Sequence, residues 1–244
     1  MSSTAQAPTL PGLVAARLLD AQLAALTWLL AERGVPVLAA GSDAAVAASL
    51  LDALVGALPA DRRPDAAEPA AAGRLVRVAG TLAPRTMPGV LRAALGATTG
   101  RSGLAAQVDA PDLAGVLDVL VRQGLTDDEA SFLGVVLVVE RRDEAGGVPR
   151  VTAAHYLRPL VRDAGGHERR QRPAILATWE PGGDRWEDFA WGIGLDLAER
   201  CRMRAGDFEA ERERRAVALS GHAHDGHAHD GHAHDGHAHD GSVG

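Results

Sequence analysis

The stretch RGVPVLAAGSDAAVAASLLDALVGALP, residues 33–59, decides how the rest of the chain is read. VPVLAA is a short β-rich run with Pro36 at its start, where a proline is tolerated. SLLDALVGAL has the composition of a helix, and the apolar spacing predicts one over 47–58. A strand, a tight turn opening on Gly41, and a helix is the arrangement that can present backbone N–H groups to an anion. A full phosphate cradle asks for more. It needs several glycines so that consecutive amides can turn inward, a lysine for the β/γ-phosphates, and a Ser/Thr hydroxyl for Mg²⁺. This turn holds a single glycine and no lysine. Asp43 suits the N-cap of the helix that follows.

The bulk composition narrows the classes. The chain has 244 residues, 46% of them apolar and 3% aromatic, so Ala, Leu and Val must do the packing. All 25 basic residues are arginine, so no step can use a lysine amine. A formal net charge of −7 argues against a large nucleic-acid footprint. The single cysteine, Cys201, excludes an intramolecular disulfide framework. MSSTAQAPTLPG has neither a basic n-region nor an apolar core, and no apolar run reaches the ~18 residues of a membrane span. A cytoplasmic protein is expected.

Outward from residue 41, elements alternate. Leu18, Leu19, Ala21, Leu23, Leu26, Leu29 and Leu30 predict one helix over 13–33, stopped by Gly34. RLVRVAG, the small-residue run after ATTGRSG, FLGVVLVVERR and RVTAAHYLRPL read as strands. FLGVVLVVERR is continuous enough to be buried on both faces. VLRAALG and DLAGVLDVLVRQG read as helices, the latter with Asp112 near its start. AILATWE is strand-like, WEDFAWGIGLDLAERCRM is expected to be helical with Trp186 and Phe189 sharing a face, and DFEAERERRAVAL is a charged helix. This alternation predicts an α/β layered domain with a central, mostly parallel sheet and flanking helices. The expected organisation is a lead-in over 1–11, the α/β domain over 12–165, a C-terminal helical extension packing on it over 166–220, and a disordered tail over 221–244.

The order of pieces resembles the C-terminal RecA-like (P-loop NTPase-like) domain of type II/type IV secretion and pilus ATPases. In that family a helix precedes a strand running into G-x-x-G-x-G-K-T-T-L-L-x-A-L. Laid on it without gaps, Gly41 takes the first glycine's place, followed by Ser42 and Asp43. Ala44 and Val46 replace the other glycines, Ala47 the lysine and Ala48 a Ser/Thr, and the match resumes from Ser49 to Leu54. The family's histidine box, A-x-x-T-G-x-x-G-S-x-x-T-x-H-A, is similar to ATTGRSGLAAQVDA. Thr99, Gly100, Gly103 and Ala110 are kept, Arg101 is a candidate counter-charge, and Asp109 stands where the histidine would be. The Walker B position falls near VRVAGTL, where Gly80 is followed by Thr81 and no acid.

The resemblance therefore implies a catalytically degenerate ATPase with no catalytic residue, no required cofactor and no working ATP/Mg site. It would serve as a structural or regulatory subunit beside a protein partner, either itself or an active ATPase paralogue, peripherally associated with a secretion or pilus complex. Weak nucleotide turnover with Arg92 or Arg101 replacing the missing cation is an alternative. A second alternative is metal binding or delivery by the tail. The four GHAHD repeats carry His222, His224, His227, His229, His232, His234, His237 and His239 with four aspartates. Imidazole and carboxylate suit Zn²⁺, Ni²⁺ or Cu²⁺. His155 is isolated and reads as a core or edge residue of its strand.

Overall fold

The computed structural model describes residues 7–64, 73–83, 85–98, 102–142, 147–163 and 165–225, with the backbone alone for 222–225. The expected helix over 13–33 is two. Helix α1 (Leu10–Ala15) ends in a turn with Arg17 at φ 56°, and α2 (Ala21–Glu32) starts afresh with Asp20 as its N-cap, accepting Leu23 N–H at 2.8 Å. The apolar period runs on through the break because Leu18 and Leu19, although in the turn, are buried. Gly34, at φ 85°, closes α2 in the left-handed conformation that glycine adopts without strain.

The core elements follow as β1 (Val37–Gly41), α3 (Ala44–Ala57), β2 (Val76–Leu82), α4 (Val90–Ala97), β3 (Leu104–Val108), α5 (Leu113–Arg122), α6 (Asp127–Ser131) and β4 (Val135–Arg141). Asp112 caps α5 through Gly115 N–H, and Thr126 with Glu129 forms a reciprocal capping box on α6. Then come β5 (Pro149–Tyr156), the short pair β6 (Val161–Arg162) and β7 (Glu168–Arg169), β8 (Ala174–Glu180), β9 (Arg185–Asp188), α7 (Gly194–Arg200) and α8 (Ala205–Asp225).

Seven strands form one sheet in the order β2-β3-β1-β4-β5-β8-β9. The pairs β2/β3, β3/β1 and β1/β4 are parallel; β4/β5, β5/β8 and β8/β9 are antiparallel, so five of the seven strands point the same way. Every residue of β1 and β3 is buried, as is Val135–Val139 of β4. Such runs need cover on both faces. Val37, Ala39, Leu137 and Val139 face a layer that includes α1, α2, α3 and α8, while Leu38, Ala40, Val136 and Val138 face α4 and α5. The domain is thus a mixed α/β structure with a mostly parallel central sheet between helical layers.

Parts of the C-terminal third also differ from expectation. Arg185–Asp188 is a strand, not the start of a helix: Trp186 lies opposite Trp179 on β8 and donates its indole N–H to Val151 carbonyl at 2.8 Å. The turn at Pro181–Asp184 brings the chain back onto β8, and the cross-strand ladder outweighs the local helical spacing. The segment 166–220 adds β8 and β9 to the common sheet and lays α8 on α1 and α2. There the Arg215 guanidinium sits 4.3 Å from the Trp28 ring centroid and 2.8 Å from the Glu32 carboxylate. Helix α8 continues through Asp225, so the first GHAHD repeat is helical. Among the described residues no helix is long and apolar enough to cross a membrane.

Candidate functional site

The connection leaving β1 passes to the α3 layer, whereas that leaving its neighbour β3 passes to α5 on the other face. Adjacent strands whose continuations part in this way open a crevice at their carboxyl ends, where α/β domains bind ligands. Gly41, Ser42 and Asp43 stand on one side of that crevice. Asp109 stands on the other, one residue past Val108, which pairs with Ala40.

Gly41 is required by the packing of β1 on β4. Its φ is 150°, and a Cβ there would lie 1.9 Å from the Val139 carbonyl oxygen. Only two residues, Ser42 and Asp43, separate the end of β1 from the first residue of α3. Ala44, Val46, Ala47, Ala48 and Ser49 are all helical. They form α3's opening turns, with Ala47 buried against the core. An eight-residue phosphate loop wraps an anion with a run of non-helical amides. This connection has no such run.

The anion position at the start of α3 is filled from within. The Asp43 carboxylate accepts Val46 N–H at 3.1 Å and Arg141 Nε–H at 2.7 Å. The Val46 amide first, and then Arg141, hold the Asp43 carboxyl below the usual carboxylate range. Arg141 sits at the end of β4 and also donates to Gly147 carbonyl at 3.0 Å. Gln107, buried at the end of β3, donates to Ala44 carbonyl at 2.7 Å and ties the turn to the neighbouring strand. The turn is therefore charge-balanced and hydrogen-bonded without a ligand. Its chemistry is that of a helix cap with an ion pair.

The chain matches no known family model, and no curated protein matches it in sequence.

Among the described residues, the histidine-box positions Gly103 and Asp109 do not gather. Gly103 precedes β3 and packs on the Gly34 backbone, where a Cβ would come within 3.3 Å of Gly34 Cα. Asp109 follows β3 at its far end, exposed, with its N–H on Leu82 carbonyl. Six residues at strand rise, about 20 Å, separate the two. Thr99, Gly100 and Arg101 lie outside the described residues. Strand β2 carries Gly80 at φ 71° in an irregular stretch of its pairing with β3 and has no acidic residue. Arg92 does not serve the turn. It binds both carboxylate oxygens of Glu129, at 2.8 and 2.7 Å, and donates to Gly124 carbonyl. That contact, led by the Arg92 hydrogen bond, pulls the Glu129 carboxyl down to about 2.

His222 and His224 fall in the last turns of α8, and His227, His229, His232, His234, His237 and His239 lie outside the described residues. Among the described residues no group of His, Cys, Asp or Glu is placed to hold a metal. His155 is half-buried in β5, and burial pushes its imidazole below the ordinary value. Cys201 is buried, and desolvation raises its thiol to about 12.

One feature carries no motif in the sequence. A cavity of about 590 Å³ opens at the amino ends of β1 and β4, the opposite end of the sheet from Gly41, between Arg33, Arg92, Ser102, Phe132, Arg200 and Arg202. Its arginines come from segments far apart in the chain, so no local pattern announces it.

Proposed function

We propose that this chain is a catalytically degenerate relative of the RecA-like secretion and pilus ATPases, retained as a structural or regulatory subunit that works through protein contacts. The observation that carries the reading is the Asp43 carboxylate seated on the first amides of α3 and paired with Arg141. Phosphoryl transfer depends on fixed cations and inward amides around the phosphate. Here a carboxylate holds that place and the chain has no lysine to counter it. The position of β3 is in keeping with the resemblance, because a strand that senses a bound phosphate has to end beside the phosphate turn, as Asp109 does beside Gly41. Asp109 lacks the N–H donor that a histidine would supply. Arg92, engaged with Glu129 at the other end of the sheet, gives no support to residual turnover.

The test is phosphate release from Mg-ATP by the full chain, together with amide NMR of Ser42, Asp43, Ala44 and Ala45 during a Mg-ATP titration. The expected outcome is no release and no Mg-dependent shift at those four amides. Steady turnover, or saturable shifts there, refutes the reading.

A second reading rests on the sequence of the tail: the repeated His-Ala-His-Asp units chelate Zn²⁺ or Ni²⁺. Zinc titration of the full chain against one ending at residue 220 tests it. Equal zinc uptake by both refutes it.

A further inference from the structure

We propose that the cavity at the amino ends of β1 and β4 is a binding site for a small organic phosphate of nucleoside-monophosphate size, separate from the β1–α3 turn. Its volume of about 590 Å³ falls inside the roughly 300–1,000 Å³ typical of small-molecule sites. Among the described residues its lining carries four arginines against two glutamates, Glu129 and Glu199, a surplus of two positive charges on a chain whose overall charge is −7.

The four arginines are not equivalent. Arg92 is held by Glu129, and Arg200 donates to Phe132 carbonyl at 2.9 Å. Arg33 and Arg202 have no carboxylate partner among the described residues, and the Arg33 Nε–H is buried with no acceptor. The Arg33 and Arg202 guanidinium groups belong to the wall and carry charge that an anion in the cavity would neutralise. A planar guanidinium fork matches phosphate oxygens two at a time. Ser102 lies in the same wall; its oxygen accepts Gly73 N–H at 3.0 Å, and among the described residues its O–H has no acceptor.

The rest of the cavity suits a flat ring. Phe132 is 51% exposed although it stands beside the sheet, and the Arg200 guanidinium lies 5.3 Å from its ring centroid. Aromatic and guanidinium planes are the surfaces on which bases stack. The proposed pose puts the phosphate on Arg33 and Arg202 and the ring on Phe132, all residues of the same wall. Glu199 is the remaining acid and opposes an anionic ligand.

Titration calorimetry of the full chain with AMP, inorganic phosphate, adenosine and citrate tests the proposal. AMP is expected to saturate the protein, inorganic phosphate to bind about tenfold more weakly, and adenosine and citrate not to bind. R33Q/R202Q should weaken AMP at least tenfold, about 1.4 kcal/mol. F132A should bring AMP down to the level of inorganic phosphate, and E199Q should tighten AMP. D43N, at the other end of the sheet, should leave it unchanged. The proposal is overturned if AMP does not saturate, if adenosine or citrate equals it, or if R33Q/R202Q binds like the parent. Should R33Q/R202Q fail to fold, F132A and E199Q decide: unchanged AMP affinity in both overturns the site.

Discussion

Replacing Asp43 by alanine removes two interactions at once. The first is the cap: the carboxylate accepts Val46 N–H, and losing such a cap costs about 0.5–2 kcal/mol. The second is the ion pair with Arg141, whose side chain is 54% exposed. Exposed pairs contribute only about 0.2–1 kcal/mol. The expected loss is about 1–2.5 kcal/mol, or roughly 2–10 °C in Tm for a domain of this size. D43N keeps an acceptor for Val46 and gives up only the charge, so it should cost less than about 1 kcal/mol, as should R141A.

The pH dependence separates the charge from the cap. The folded carboxyl is held below its ordinary value. Its extra stabilisation is therefore complete above the unfolded pKa near ~4 and is lost as pH falls through the lower folded value. The stability gap between parent and D43A should narrow in acid, below about pH 4. Urea unfolding at pH 7 and at acid pH measures both terms. Equal stability of D43A and parent at pH 7, or a D43N as costly as D43A, refutes the capping argument. D43A should still not bind Mg-ATP at the turn, because a two-residue connection offers no wrap of amides whatever stands at position 43.

Four further outcomes are expected. Gly41→Ala forces a Cβ onto the Val139 carbonyl and holds alanine at positive φ, so it should cost at least about 3 kcal/mol in urea unfolding. Gly80→Ala, also at positive φ but with open space around its Cβ, should cost only about 1–2 kcal/mol, and equal costs would refute the close-approach reading. Asp184 binds the buried Arg150 guanidinium at 3.1 and 3.3 Å and accepts the Trp179 indole N–H at 2.9 Å. D184A should cost about 2–3 kcal/mol, less than a fully buried pair because solvent reaches Asp184, and a thermal shift under 1 °C would refute it. Cys201, buried and with its thiol raised to about 12, should resist a disulfide reagent until the protein is unfolded in guanidinium; rapid labelling of the native protein would refute its burial.

Short-range chemistry was readable in the chain. The buried strand Val135–Val139 is a continuous apolar run, Gly34 closes α2, and Asp43 and Asp112 cap the helices that follow them. Each rests on residues within a few positions of one another. The break between α1 and α2 was hidden because Leu18 and Leu19 keep the apolar period while the backbone turns. Strand β9 was hidden because Trp186 and Phe189 have helical spacing, and only pairing with β8 makes Arg185–Asp188 extended. The missing lysine was likewise visible in the residues alone. That Arg141 neutralises the Asp43 carboxylate was not, because the two lie 98 residues apart.

By itself, then, the sequence determined which segments are helix or strand wherever neighbours within a turn or two decide it, and it determined that the β1–α3 turn lacks the groups of a phosphate cradle. Tertiary structure alone decided which strands lie beside β1, that Arg141 neutralises Asp43, and that Arg33, Ser102, Phe132 and Arg202 line one cavity. The reason is physical: caps and apolar periods act over a few bonds, whereas strand order and converging charges depend on how distant segments pack to cover both faces of one sheet.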